Sequence, residues 1–396
     1  MSKDISQTMN KDANRDSSTY NRIIMTPGPT TIDERVRLAL SRPITNPDLD
    51  PDFFDFYRGA CQKIAGICAT EATVLIMAGE GILGLEAAVA SLVEPGEKVL
   101  CLANGVFGHG FADFVRMYGG VPVKVEQDFR EPLQVKDLED VLEENPDIRV
   151  ATMVHCETPS GLLNPIDQLC PYLAAKGVVT IVDAVASVGG DEVRTDEWGI
   201  DVLLGGSQKA FSAPPGLTFM AISQQAWQKV ANRETPVPGF YLNLAKWREM
   251  WLEKGYFPYT QSVSDIYALD EASNLILQDL PGTLERHRRL GDAVRSALTA
   301  NGLDLYPSSN HANTVTAFLI PNGIDDEGFR RRLWQNHGVM IAGSWGELAG
   351  KVWRIGHMGF NASEERLLAT FAAMDVLLGL YGRDTELVRE FARALR

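Results

Sequence analysis

Apolar and polar positions switch between two periods along this chain, and the switching predicts its elements. Short apolar runs rich in β-branched and aliphatic residues, at 73–78, 99–103, 122–127, 149–155, 177–183 and 202–206, have the length of buried strands. Between them lie segments with apolar residues three or four apart, as at 82, 85, 89 and 92, and again over 138–144 and 165–176. That spacing predicts helices with one buried face. Strands alternating with helices require crossover connections, so the pattern predicts an α/β fold with a mostly parallel central sheet flanked by helices. Residues 214–222 return as one more strand, read as antiparallel. From Asp265 a long helical stretch runs to Asn301 and bridges to a smaller α+β region, with strands at 314–320 and 352–355 and helices at 326–335 and 364–378. The expected division is a polar, disordered N-terminal arm over 1–21, a large α/β domain over 22–270, and the bridging helix with a small C-terminal α+β domain over 271–396. The aromatic, proline-interrupted region 235–264 has weak periodicity, which suits an excursion at a dimer interface.

Composition narrows the class of partner. At 396 residues and 45% hydrophobic, the chain can bury a large core. A net charge of -15 argues against nucleic acid or an anionic membrane as partner. The one dense basic run, Arg286 to Arg289, reads as a solvated helix face. No apolar stretch reaches the roughly 20 residues that span a bilayer, and the N-terminus has no apolar signal core, so a cytoplasmic protein is expected. The cysteines at 61, 68, 101, 156 and 170 form no close pair and the six histidines are dispersed, so reduced core thiols and no metal site are expected.

Two strand tips carry the candidate chemistry. The run Gly177–Asp183 delivers a carboxylate at its C-terminal end, where open α/β sheets place ligands, and the next strand leads through Gly205-Gly-Ser-Gln to Lys209. A carboxylate beside a ring nitrogen keeps that nitrogen protonated, while a sheltered lysine can lose its proton and attack an aldehyde. Those are the two needs of pyridoxal chemistry. Either residue alone would read as a helix cap or a loop cation; the pair at neighbouring tips is the stronger sign. Gly79-Glu80-Gly81, between a strand and a helix, forms a natural anion cup. A carboxylate within it would repel a phosphate, unless Glu80 turns outward to solvent. Phe107, flanked by glycines, can lie flat on a planar ring, a contact worth ~0.5–1.5 kcal/mol, or else pack in the core. Arg354, alone in an apolar strand, needs a carboxylate partner, either a substrate's or an internal one. Cys156 has no base placed for it and reads as a core thiol, and His155 as a structural histidine.

The ordered set Thr26-Pro-Gly-Pro29, Gly84-Leu-Glu-Ala-Ala88, Glu157-Thr-Pro-Ser-Gly161, Val182-Asp-Ala-Val185, Ser207-Gln-Lys209 and Arg354-Ile-Gly356 resembles the class V aminotransferases of pyridoxal phosphate fold type I. The resemblance covers about 22–380 and is closest to the alanine/serine–glyoxylate and pyridoxamine–pyruvate aminotransferases. It implies pyridoxal 5'-phosphate as cofactor and ping-pong transfer from a small amino donor of the alanine or serine type to a 2-oxo acid, pyruvate or glyoxylate. By this likeness Lys209 is the Schiff-base lysine and proton shuttle, Asp183 meets the pyridine nitrogen, and Phe107 and Val185 bracket the ring. Thr158 donates near the ring hydroxyl. Gly79, Glu80, Gly81 and Gln208 hold the phosphate end. Thr260 serves as a phosphate ligand for the partner subunit of a homodimer, with Phe257 where the glyoxylate branch has a tyrosine. Gly28 lies against the substrate and Arg354 takes its carboxylate. Glu80 stands where much of the family has serine; an acid there is shared with pyridoxamine–pyruvate aminotransferase, for which unphosphorylated pyridoxamine and pyridoxal are the substrates. That activity is the alternative expectation, favoured by Glu80 and opposed by Gln208 and by Trp345, which replaces an arginine. A phosphonate-amine transaminase is a further alternative. A cysteine desulfurase is disfavoured because the last cysteine is Cys170, and a vitamer-sensing regulator because the short polar stretch before Tyr20 cannot make a DNA-binding domain.

Overall fold

Seven strands form the central sheet, in the spatial order Thr73–Ala78, Leu217–Ile222, Val202–Gly206, Val179–Asp183, Val150–Val154, Lys98–Ala103 and Val121–Glu126. The computed structural model describes residues 22–396, so the arm expected over 1–21 lies outside the described residues. Leu217–Ile222 is antiparallel to both neighbours, as its sequence predicts. The other adjacent pairs are parallel. Six strands therefore point one way, and their C-terminal tips share one edge of the sheet. Every residue of Val150–Val154, Val179–Asp183, Val202–Gly206 and Leu217–Ile222 is buried, because helices cover both faces.

Two large hydrophobic cores result among the described residues. The larger draws on residues between Val36 and Ile276 and is centred on the sheet. The second joins Met25 to residues between Leu290 and Phe391, around the antiparallel pair Val315–Leu319 and Val352–Gly356. Residues Ile23–Ile24 pair in parallel with Val339–Met340, so the chain enters beside the second core before turning toward the sheet edge. All five cysteines are buried free thiols. No described helix is long and apolar enough to cross a membrane.

Some elements depart from expectation for local reasons. The continuous helix expected over 265–301 is two helices, Val263–Leu277 and Leu280–Ala300. Asp279 caps the second by accepting from Gly282 NH at 3.0 Å, with Pro281 in its first turn, and an N-cap beside proline restarts a helix. The helix Pro51–Ile67 lies outside the periodic segments picked out above; Asp50 caps it and Pro51 opens it, and it buries Phe53, Tyr57 and Ile64. The weakly periodic region holds a short helix, Leu244–Trp247, that continues as the π-helix Arg248–Glu253. Against it Phe257 stacks on Trp251 at 4.3 Å between centroids and meets Phe53, Phe54 and Tyr57 edge-on. Phe257 is thus a core aromatic in this fold.

Candidate active site

The C-terminal edge of the sheet closes over one cavity. Its walls are Gly28 and Pro29, Glu80 to Ile82 with Leu85, Phe107, Cys156, Thr158, Asp183, Val185, Ala186, Gln208 and Lys209. Nine of the sequence-predicted residues are therefore brought together around one space: Gly28, Glu80, Gly81, Phe107, Thr158, Asp183, Val185, Gln208 and Lys209. Gly79, Thr260 and Arg354 stand off that wall.

Lys209 follows the tip of Val202–Gly206 in a turn tied down on both sides. Ser207 Oγ donates to Pro214 O at 2.6 Å, and Thr30 NH donates to Gln208 O at 3.1 Å. Lys209 Nζ donates to Pro27 O at 2.7 Å, with no carboxylate in contact. Burial, aided by the nearby Arg354 guanidinium, draws its amine down to about 8 from an ordinary 10.5. A minority of neutral amine, far more than an ordinary lysine offers, is then available near physiological pH, as a nucleophile or proton carrier requires.

Asp183 ends the adjacent strand, in register with Leu204. Its Oδ1 accepts from Val185 NH at 2.8 Å, while Oδ2 has no hydrogen-bond partner among the described residues. Burial pushes this carboxyl up to about 6, opposed by the Val185 NH and by Lys209. Beside it, buried His155 is drawn down to about 3 by desolvation and stays neutral. Burial likewise raises the Cys156 thiol well above its ordinary value, so it is an unreactive part of the wall.

Space is made by missing side chains. A Cβ on Gly81 would lie 2.9 Å from both Val185 methyl carbons, and one on Gly206 would lie 3.1 Å from Val185 Cγ1. A planar ring with a nitrogen facing Asp183 Oδ2 and an aldehyde facing Lys209 Nζ suits these walls. The end expected to hold phosphate is built differently. Glu80 N-caps the helix Gly81–Leu92, accepting from Ile82 NH at 3.1 Å and from Gln208 Nε2 at 3.3 Å. The side chain folds back onto its own helix start and Gln208, while the residue stays solvent-exposed. One NH of the cup is therefore already engaged by a carboxylate, and buried Gln208 Oε1 has no partner.

Phe107 sits in the first turn of the helix Val106–Met117. The start of this helix is held by Glu157, which sequence reasoning passed over. This fully buried residue accepts from Gly108 NH at 2.6 Å and Phe107 NH at 3.2 Å, satisfying the start of that helix. Burial pushes its carboxyl up to about 7, opposed by those two NH groups. The only sequence signal was its place beside Thr158 in Cys156-Glu-Thr-Pro-Ser-Gly.

Arg354 is buried behind Thr158. Its Nε donates to Gly343 O at 2.7 Å and its Nη1 to Thr158 O at 3.3 Å. No carboxylate pairs with it among the described residues, so the internal ion pair is not formed. Burial and the neighbouring Arg330 draw its guanidinium down to about 10. The indole of Trp345 covers one face, with the guanidinium carbon 4.7 Å from the ring centroid. Thr260 lies on the exposed surface, donating to Asp48 Oδ2 at 2.9 Å.

Residues 47–353 match the sequence profile of the aminotransferase class-V family. The chain is 34% identical over 376 residues to pyridoxamine–pyruvate transaminase of Mesorhizobium japonicum, covering 94% of this chain and 95% of the relative. It is 30% identical to serine–glyoxylate aminotransferase of Methylorubrum extorquens, covering 90% of each. The crystal structure of ureidoglycine–glyoxylate aminotransferase from Bacillus subtilis superposes with a TM-score of 0.91 at 31% identity, over 96% of this chain and 99% of that one.

Proposed function

Given that this chain belongs to the class V aminotransferases, and so is a pyridoxal-phosphate-dependent transaminase of fold type I, we propose that it moves an amino group from a small neutral amino acid, of the alanine or serine type, to pyruvate or glyoxylate. The observation that carries this reading is the pair at adjacent strand tips, a buried lysine drawn down to about 8 beside a carboxylate with one free oxygen. When bound, the cofactor supplies a carbonyl carbon that takes the amino group and a ring that accepts the electron pair released at the substrate carbon.

The chain's own residues do the rest. Lys209 holds and returns a proton at Nζ, and the Pro27 carbonyl orients that amine. Asp183 would hold the ring nitrogen's proton at its free Oδ2, Phe107 and Val185 would bracket the ring, and Thr158 would meet its polar edge. Gly81 and Gln208 lie at the phosphate end, where Gly79 shapes the turn and Thr260 is supplied by the partner of a homodimer. Gly28 lies against the substrate beside Lys209, and Arg354 anchors the substrate carboxylate through its uncommitted Nη2. The boundary between the large and small domains falls near 270, where the two cores are joined by helices.

A second reading rests on Glu80. Its carboxylate engages Ile82 NH and Gln208 inside the cup, which favours a donor without phosphate, pyridoxamine itself, with pyruvate as acceptor. One experiment separates the two. The purified protein is reduced with borohydride and analysed by mass at Lys209, alongside amino-transfer assays with alanine, serine and pyridoxamine. A phosphopyridoxyl adduct with alanine or serine turnover supports the first reading. An adduct that forms only when pyridoxal is supplied, with pyridoxamine turnover, supports the second. A Lys209→Ala variant equal to wild type with every donor would overturn both.

A further inference from the structure

We infer that Trp345 determines substrate specificity, making the site accept monocarboxylic substrates with small neutral side chains and reject dicarboxylic ones. The indole bridges two functional residues. Its ring stacks on the Arg354 guanidinium and meets Phe107 edge-to-face, 6.1 Å between centroids at 83°. Phe107 lines the cavity and Arg354 is held behind it, so a substrate spanning the cofactor ring and the carboxylate anchor has the indole beside it.

The charges around this point decide what can sit there. Arg354 spends Nε and one hydrogen of Nη1 on the Gly343 and Thr158 carbonyls, which leaves its Nη2 edge for one carboxylate. A second acidic group needs a second cation. Arg330 is near, since its guanidinium carbon would lie 3.0 Å from a Cβ on Gly343, but it is committed to Asp326 through two bonds at 2.6 and 3.0 Å. Asp183, Glu80 and Glu157 are all acidic. The exposed face of an indole is itself electron-rich and repels an anion. Trp345 therefore puts an uncharged aromatic surface beside the carboxylate anchor, one against which a methyl or hydroxymethyl group is at ease and a second carboxylate is not.

The loop that carries it is built to hold this position. Ser344 Oγ donates to Pro159 O at 3.3 Å, and Gly346 takes φ +59 directly after the indole. Trp345 is 42% exposed, so substituting it does not open the core.

This inference rests on the amino-acid transaminase reading, and its test has one arm that needs no turnover. In the holoenzyme, kcat/KM for alanine and aspartate as donors, and calorimetric binding of propionate and succinate as inert one- and two-carboxylate analogues, are compared for wild type, Trp345→Arg, Trp345→Gln and Trp345→Phe. Wild type should favour alanine over aspartate, and propionate over succinate, by at least about tenfold. Trp345→Arg should lower both ratios by about tenfold or more, through the KM of aspartate rather than kcat, and Trp345→Phe should keep the wild-type ratios. Trp345→Gln, which removes the aromatic face without adding charge, should fall between them. Ratios unchanged in both Trp345→Arg and Trp345→Gln would overturn the inference. If no amino acid is turned over while the propionate and succinate ratios shift as expected, the donor assignment fails and the role of Trp345 stands.

Discussion

Gly28 lies directly against Lys209: a Cβ on Gly28 would fall 2.4 Å from Lys209 Cδ and 2.9 Å from Nζ. Gly28 also holds φ +93, a conformation that costs any other residue strain. Gly28→Ala therefore displaces the amine from the Pro27 carbonyl. Expected is a loss of about 10²-fold in kcat/KM with the fold retained, since small misplacement of a reacting group has that effect. Steady-state kinetics with circular dichroism checks it; wild-type kinetics would show that the lysine does not depend on this contact.

Asp183 exchanges stability for function in the apoprotein. Its carboxyl binds a proton more tightly folded, at about 6, than unfolded, at 3.8, so stability falls as pH rises from about 4 through 6. The charged form costs ~3 kcal/mol above that range. Asp183→Asn should raise the apoprotein melting temperature at pH 8 and lose this advantage toward pH 4, while lowering activity at least about 10²-fold. Melting curves across pH decide; an equal gain at pH 4 and pH 8 would exclude the linkage.

Lys209 has the opposite sign. Folding lowers its amine from 10.5 to about 8, so below pH 8 the folded state carries a penalty of up to ~3 kcal/mol that fades as pH rises toward 10.5. Apo Lys209→Met should be more stable than wild type at pH 7, with the difference narrowing above pH 8. In wild type, the rate of capture of free pyridoxal should climb as pH rises through about 8. A rate flat between pH 7 and 9 would contradict a lowered amine.

Glu157 fixes the backbone at Phe107 and Gly108, where the helix that carries Phe107 begins. Glu157→Gln presents an amide NH2 toward one of two backbone NH donors, which leaves a buried donor unsatisfied at a cost of ~1–3 kcal/mol. The helix start should shift and carry Phe107 with it. Expected are an altered circular dichroism of the bound cofactor and a fall in kcat/KM of about tenfold, with Glu157→Asp intermediate. An unchanged cofactor signal with a lowered melting temperature would confine Glu157 to stability.

The sequence by itself determined the alternation of strands and helices, the antiparallel return of Leu217–Ile222, and the aspartate and lysine at neighbouring tips. These are local or periodic properties: a five-residue apolar run between helices has few places to go except a covered sheet, and its last residue emerges at the sheet edge. Tertiary structure decided the rest. Glu157 stood in a visible motif, yet its partners at 107 and 108 lie some fifty residues away, and no periodicity reports a backbone NH. Glu80 could turn either way until the cup set it against Ile82 and Gln208. Phe257 looked like a site neighbour until five aromatic rings from two segments closed around it. Trp345 gained its meaning only when folding stacked it on Arg354 and against Phe107, because charge and shape at a site belong to residues brought together from across the chain.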